Sequence, residues 1–218
     1  MILIMVKKRL IIFASGTKEG GGSGATNLVE ASLDGRLPNA EIIAVVSNHG
    51  KGGVATHCKK LQVLFIHFAG PFDEIHYKKI IKETNPDFVA LSGWLRPILG
   101  LDPKKTFNIH PGPLPRFGGI GMYGHYVHEA VIKAYNQGEV KNTEVSMHFV
   151  TPNYDEGPVF FRKAVSIMDD DTPETLAKRV NQAEHLWQPK ITSLVLSGEI
   201  SWDGKNPESI ISPVEYTI

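Results

Sequence analysis

The 218-residue sequence predicts an α/β fold, with a Rossmann-like, mostly parallel sheet in the N-terminal half that continues into a mixed sheet with flanking helices. Three observations predict it. Apolar runs of strand length alternate with stretches of helical period through the first half, which is the βαβ pattern. A glycine-rich segment sits between the first such run and the first helix, where a βα loop belongs. The second half changes to strand, turn, strand and one long helix, which calls for an antiparallel extension of the sheet.

Each element follows in order. RLIIFA (9–14) reads as the first strand, with the apolar residues before it as a short leader, and TNLVEASLDGRL (26–37) as the first helix. EIIAVVS (41–47), GVATHCKKL (53–61), VLFIHF (63–68) and FDEIHYKKIIKET (72–84) repeat the pattern twice, and DFVALSG (87–93) is a fourth buried strand. TFNIH (106–110) is a fifth. HYVHEAVIKAYNQG (125–138) is helical, while TEVSMHFVT (143–151) alternates as a half-buried strand and PVFFRKAVSI (158–167) follows it across the turn YDEGP. A long helix then runs to Gly198, capped by Asp171 or Thr172 with Pro173 in its first turn and a kink expected before Pro189. Residues 1–218 are expected to form a single domain: a phosphate-binding βαβ half (1–105), a catalytic half (106–202) and a C-terminal extension (203–218) without strong pattern.

Composition narrows the function. Lys plus Arg and Asp plus Glu are equal at 23 each, so no global field recruits nucleic acid or an anionic membrane. Lone Cys58 excludes an internal disulfide and any multi-cysteine zinc module, which fits a reducing, cytoplasmic setting. Lys7, Lys8 and Arg9 interrupt the apolar start well short of the roughly 20 residues that span a bilayer. A secretory signal would place its charges first.

SGTKEGGGSGATNL (15–28) brings glycines and a helix N-terminus together, a combination that binds phosphate through backbone N–H groups. Gly20, Gly22 and Ala25 also satisfy the loose dinucleotide pattern G-x-G-x-x-A. The ribose-binding carboxylate that such a site needs after the second strand is absent, since AVVSNHG offers only Asn48, and the Walker lysine is absent too. A mononucleotide-like or sugar-phosphate ligand fits better; the alternative is a merely flexible loop.

In FNIHPGPLPRFGG (107–119), Asn108 and His110 stand two apart on a strand end and so share one face. An Asn amide is a neutral donor suited to a developing oxyanion, and a His beside it can move a proton near neutral pH. Pro111, Pro113 and Pro115 would fix the chain behind the pair. His148 reads as a packed core histidine. Asp155, in NYDEGP, reads on its own as an ordinary turn aspartate; brought within about 4–6 Å of His110 it would raise the imidazole pKa by roughly 1–3 units.

LSGWLRPIL, FNIHPGPLP, VSMHFVTPNYDEGPVF and RVNQAEH, in this order and spacing, closely resemble the folate-dependent formyltransferases, and among them phosphoribosylglycinamide formyltransferase. The likeness covers residues 9–202. It implies 10-formyltetrahydrofolate as co-substrate, no metal, glycinamide ribonucleotide as acceptor in purine synthesis, and a monomer or homodimer without nucleic-acid or membrane partners. It also implies roles by position. Asn108, His110 and Asp155 would be the catalytic trio, with Asp155 supporting the His. Leu95, Arg96, Pro97 and Ile98 would line the folate pocket with Asn108, and so would Thr151, Pro152, Asn153, Tyr154 and Asp155. Gly24, Ala25, Thr26 and Asn27 would grip the phosphate, and Asn181 and Glu184 the acceptor.

Some segments depart from the family pattern. The first loop is longer than the compact Ser-Gly-x-Gly-Ser-Asn, Asn181 replaces a glutamine, and FDEIHYKK lacks an arginine that relatives place against folate. GGIGMYGHYVHEAV (118–131) is also longer, and its His125 and His128, two histidines without a third ligand, are expected to be solvated or ring-stacked rather than metal-bound. The rival readings are a sugar-nucleotide formyltransferase, a formyltetrahydrofolate deformylase or methionyl-tRNA formyltransferase, whose extra domains 218 residues are expected not to accommodate, and a non-catalytic phosphate or dinucleotide module.

Overall fold

The first apolar run forms β1 (Lys8–Phe13), and its residues from Leu10 onward are completely buried, because the strand has neighbours on both edges and helices or loops on both faces. The structure is a computed structural model and describes residues 6–213; the leader expected at residues 1–5 and the end of the C-terminal extension, 214–218, lie outside the described residues. The remaining strands are β2 (Ala40–Ser47), β3 (Phe65–His67), β4 (Phe88–Ser92), β5 (Thr106–His110), β6 (Asn142–Phe149) and β7 (Val159–Ser166). They form one sheet in the order β3-β2-β1-β4-β5-β6-β7. The pairs from β3 to β5 are parallel and the last two, β5 with β6 and β6 with β7, are antiparallel. The mixed sheet expected from the sequence is therefore present. Only β3 is much shorter than its apolar run: as an edge strand it has one partner, and Leu64 before it is exposed.

Five helices flank the sheet: α1 (Ser23–Asp34), α2 (Gly53–Leu61), α3 (Glu74–Thr84), α4 (His125–Asn136) and α5 (Pro173–Ser197). The larger core gathers Leu10, Ile12, Leu28, Val131, Val180 and Ile191, joining one face of the sheet to α1, α2, α4 and α5. The smaller core, on the other face, is aromatic, with Phe13, Phe68 and Trp94 packed around the buried Tyr77 of α3. The Tyr77 hydroxyl donates to Pro97 O at 2.8 Å and accepts from Trp94 Nε1 at 3.0 Å, which ties the segment after β4 to α3.

α5 begins as expected, with Thr172 as cap, a reciprocal bond with Thr175, and Pro173 in the first turn. Pro189 lies inside this single 25-residue helix. Proline has no N–H to give the carbonyl of His185 four residues earlier. That carbonyl accepts the side-chain amide of Asn27 from α1 at 2.9 Å, so the lost helix bond is replaced from a neighbouring helix. The C-terminal stretch, unpatterned in sequence, is held by a bridge between Ser201 and Ile211 and by a Trp202 Nε1 bond to Asn206 O at 2.8 Å.

In this order β1 sends its connections to β2 on one side, while β4 and β5 lie on the other, so the strand order switches at β1 and β4. Ligand crevices form beyond the carboxyl ends of strands at such a switch point.

Candidate active site

A cleft of about 690 Å³ opens there. The loops after β1, β4 and β5 form its floor, and the first turn of α1, the 119–125 segment and the first half of α5 form its walls. A hydrogen bond from Leu95 N to Ser15 Oγ at 3.0 Å and one from Ser47 Oγ to Ser15 O at 2.9 Å lace together the ends of β1, β2 and β4.

The glycine-rich loop delivers a helix terminus to this cleft. Gly22 caps α1 in the left-handed region (φ 82°), where a side chain would be strained, and it supplies no side-chain cap. The first-turn N–H groups are thereby left for a ligand. The loop is held from below: a Cβ on Gly53 would lie 2.4 Å from Gly20 C and Gly21 O, so two backbones are in direct contact. Gly21, Gly22, Ser23 and Gly24 line the cleft; Ala25, Thr26 and Asn27 do not. α1 starts three residues earlier than its sequence pattern suggests, so Ala25 and Asn27 are buried within the helix. Besides its bond to His185 O, Asn27 accepts from Arg36 Nη1 at 2.9 Å, so both ends of its amide are engaged within the protein.

At the end of β5 the expected trio converges. Asn108 Nδ2 lies 3.5 Å from Asp155 Oδ1, and His110 Nδ1 lies 3.7 Å from Asp155 Oδ2. Asp155 sits at φ 55°, a left-handed conformation that Asp tolerates better than most residues, and this turns its carboxylate back toward the strand ends. Gly119 N donates to Oδ2 at 3.0 Å. Burial would raise the Asp155 carboxyl, but the contacts with His148 and His110 and the Gly119 N–H outweigh it and hold the group below the ordinary carboxylate range.

His110 is 3% exposed. Its Nε2 meets Phe117 O at 2.7 Å, and because a carbonyl can only accept, Nε2 carries the proton and Nδ1 is the atom that titrates. The sequence led us to expect an imidazole pKa raised by Asp155. The outcome is the opposite: burial pulls it below its ordinary value, and the carboxylate, 3.7 Å away and shared with other donors, offsets only part of that.

His148, read from the sequence as a core histidine, is buried but belongs to this cluster. Strand register places it directly opposite Asn108. Its Nδ1 donates to Phe149 O at 2.9 Å, and its Nε2 lies 3.0 Å from Asn108 Nδ2 and 3.3 Å from Asp155 Oδ1. Asn108 Nδ2 thus sits between His148 and, at a long 3.5 Å, the Asp155 carboxylate. Alternation in SMHFV could locate His148 on a face, but only the register between two distant strands sets it against Asn108.

Of the residues that the resemblance assigns to folate, Leu95, Asn108, Tyr154 and Asp155 line the cleft. Arg96, Pro97 and Ile98 do not line it: Arg96 is exposed and lies over the Phe72 ring at 5.1 Å, and Ile98 is in the aromatic core. Thr151, Pro152 and Asn153 form the approach to the turn, Thr151 Oγ1 bonding Asn153 O at 3.3 Å. Asn181 and Glu184 both face the cleft, 3.3 Å apart, and burial pushes the Glu184 carboxyl up to about 7. Ser92, Trp94 and Gln188, to which the sequence reading assigned no role, also line it.

The long 118–131 segment contributes Ile120, Met122 and Tyr123 to the rim. His125 is exposed, in line with the expectation of a solvated histidine, and pairs with Glu129 at 3.0 Å and Glu174 at 3.7 Å. His128 is buried, contrary to expectation, and burial together with its histidine neighbours brings its pKa down to about 4. Among the described residues no group of three or more His, Cys, Asp or Glu side chains is placed to hold a metal.

An uncapped helix terminus at one end of a cleft and an amide–imidazole–carboxylate set at the other are groups suited to binding an anion and to acyl-transfer chemistry. The formyl transferase family model matches residues 8–192. The chloroplastic phosphoribosylglycinamide formyltransferases of Arabidopsis thaliana and Vigna unguiculata are each 31% identical over 90% of this chain, which spans 68% and 63% of their respective lengths. The crystal structure of glycinamide ribonucleotide transformylase 1 from Symbiobacterium toebii superposes with a TM-score of 0.77 at 26% identity, covering 91% of this chain and 92% of that one. The chain belongs to the formyl transferase family, in its phosphoribosylglycinamide formyltransferase group.

Proposed function

We propose that this chain transfers the formyl group of 10-formyltetrahydrofolate to the primary amine of glycinamide ribonucleotide, with Asn108, His110 and Asp155 as the reacting set. The observation that carries the reading is the meeting of these three side chains, from two distant segments, within 3.5 and 3.7 Å in the same cleft as an uncapped helix terminus. The ribotide phosphate would rest on the N–H groups at Ser23 and Gly24, with Asn181 and Glu184 beside the sugar. The folate would lie between Leu95 and Tyr154. This divides the chain into a phosphate-binding half (1–105) and a catalytic half (106–202), within one domain.

In the reaction the amine nitrogen attacks the formyl carbon, and the formyl oxygen takes the electron pair as the C–N bond forms. The side-chain amide of Asn108 donates to this oxygen. His110, neutral at the outset because of its burial, accepts the proton the amine must shed on Nδ1, and the Asp155 carboxylate stabilises the imidazolium. As the oxyanion's electron pair re-forms the carbonyl, the bond from the formyl carbon to N10 of the folate breaks, and the imidazolium returns the proton to N10 as it leaves.

Cytoplasmic action belongs to the same reading, supported by the lone buried Cys58, although the plant relatives are named as chloroplastic. No helix among the described residues is long and apolar enough to cross a membrane. The test is a turnover assay with 10-formyltetrahydrofolate and a panel of acceptors. Formylation of glycinamide ribonucleotide well above that of a sugar-nucleotide amine is expected. Preference for the sugar nucleotide, or hydrolysis with water as sole acceptor, would overturn it.

A further inference from the structure

Beneath the first turn of α1 lies a polar pair that the reaction described above does not use. Gln188 is 1% exposed, lies one residue before Pro189 on α5, and lines the cleft. Its Oε1 accepts from Ser92 Oγ at a long 3.5 Å. Its Nε2 has no hydrogen-bond partner among the described residues. Turning the amide over would exchange the two ends and still leave one of them unmatched. A buried donor without an acceptor destabilises a fold, and in native proteins such a group commonly marks a place where a ligand completes the bonding.

Position says which part of a ligand. A Cβ on Gly24 would come within 2.3 Å of Ser92 Oγ and 3.4 Å of Gln188 Oε1, so the pair is packed against the helix turn that forms the anion cradle. On its other side, Ser92 is paired in the sheet with Ile109, the residue between Asn108 and His110. The pair therefore stands between the cradle and the catalytic cluster. A substrate carrying phosphate at one end and a reacting amine at the other must lay its middle across this spot. A neutral amide N–H suits a neutral acceptor there, a hydroxyl, ring or carbonyl oxygen, while the phosphate charge is already met by backbone N–H groups.

We propose that the Gln188 side-chain N–H, oriented by Ser92, is a specificity-determining donor to an oxygen in the central, sugar-and-amide portion of the phosphorylated amine substrate. The inference rests on the formyl-transfer reading above and adds to it the residue that checks the body of the acceptor. A substrate lacking an acceptor oxygen at that place leaves the donor unpaired in the bound state and is rejected for it.

Full-length protein with Gln188→Leu, which keeps the bulk and removes the donor, tests the assignment. Its KM for glycinamide ribonucleotide should rise about 10-fold, with kcat and the KM for 10-formyltetrahydrofolate within about two-fold of wild type. Calorimetric titration with the ribotide alone should show the same loss of affinity. Gln188→Glu, which replaces the donor by an oxygen, should weaken the ribotide at least as much and serves if the leucine variant does not fold. A purely structural Gln188 would change the melting temperature and leave the ribotide KM unmoved; that result in either folded variant overturns the inference alone. Wild-type protein that neither binds nor formylates the ribotide overturns the parent reading and this inference with it.

Discussion

The loops after β5 and after β1 meet in one cleft and are built in opposite ways. The first, 111–119, has three prolines and follows two side chains held by contacts with His148, Asp155 and Phe117. The second, 15–22, has four glycines, and its own side chains supply little to the cleft; what it delivers is backbone N–H. The difference follows the task. A reaction that moves a proton and an electron pair needs particular atoms at particular distances, which only side chains on a stiff chain provide. Holding a dianion needs donors at close approach, which backbone provides once Cβ atoms are out of the way.

Breaking the β5 end should therefore cost rate. Asn108→Ala removes the amide donor proposed for the formyl oxygen and should lower kcat by about 10²- to 10³-fold, with both KM values changed far less. His110→Ala should cost about 10²- to 10⁴-fold. Folded variants with near-normal turnover would remove these residues from the mechanism.

The pH profile sharpens the same point. In the proposed mechanism His110 works as a base in its neutral form, and burial holds its pKa below 6.5, so kcat should fall only as the solution becomes more acidic than that. Asp155 is the group that pulls His110 upward. Asp155→Asn should therefore reduce kcat and move the remaining acid limb to still lower pH. A limb that moves toward neutrality would show that the carboxylate acts otherwise.

Damage at the β1 loop should cost binding instead. Gly53→Ala would push a methyl group into the backbone of Gly20 and Gly21, atoms that cannot rotate away. The cradle must shift, and the KM for the ribotide should rise about 10-fold at nearly constant kcat, as loss of ground-state contacts does. A drop in kcat alone would mean that the loop positions the reacting groups.

This contrast also explains what the sequence disclosed. Strands β1, β2, β4 and β5 were legible because buried apolar runs report themselves, and Asn108 with His110 was legible because period two is local. Asp155 could be tied to them only through the family resemblance, since a turn aspartate 47 positions away carries no sign of where it points. His148 was hidden for the same reason: its partner is fixed by β5–β6 register. The start of α1 was expected three residues late because glycines carry no periodicity and the helix extends through Ser23-Gly24, residues with poor helix propensity. Asn27 was assigned to the phosphate through the family resemblance, whereas the bonds it makes join two helices. Asn27→Ala should therefore leave turnover within about two-fold while lowering stability by about 1–3 kcal/mol, the cost of stranding the His185 carbonyl beside Pro189. Denaturant melts compared with the kinetics of the same variant decide it.

The smallest expected effect concerns the second carboxyl in the cleft. Asp155 and Glu184 are pushed in opposite directions within one cavity, Asp155 down by its donors and Glu184 up to about 7 by burial with a single partner, Asn181, at 3.3 Å. Such a split marks groups with different tasks. For Glu184 the folded-state value lies above the unfolded one of 4.5, so between these values the native protein holds a proton that the unfolded chain has shed. Its contribution to stability is therefore lost as pH rises through that window and stays lost above 7. Glu184→Gln keeps the shape and cannot ionise. It should be isoenergetic with wild type at pH 4 and more stable by about 1–2 kcal/mol at pH 8, the modest figure reflecting water that enters the cleft. Equal stability of the two proteins at both pH values would mean that the carboxylate is solvated as fully in the cleft as in the unfolded chain, and that its position beside Asn181 does not raise its pKa.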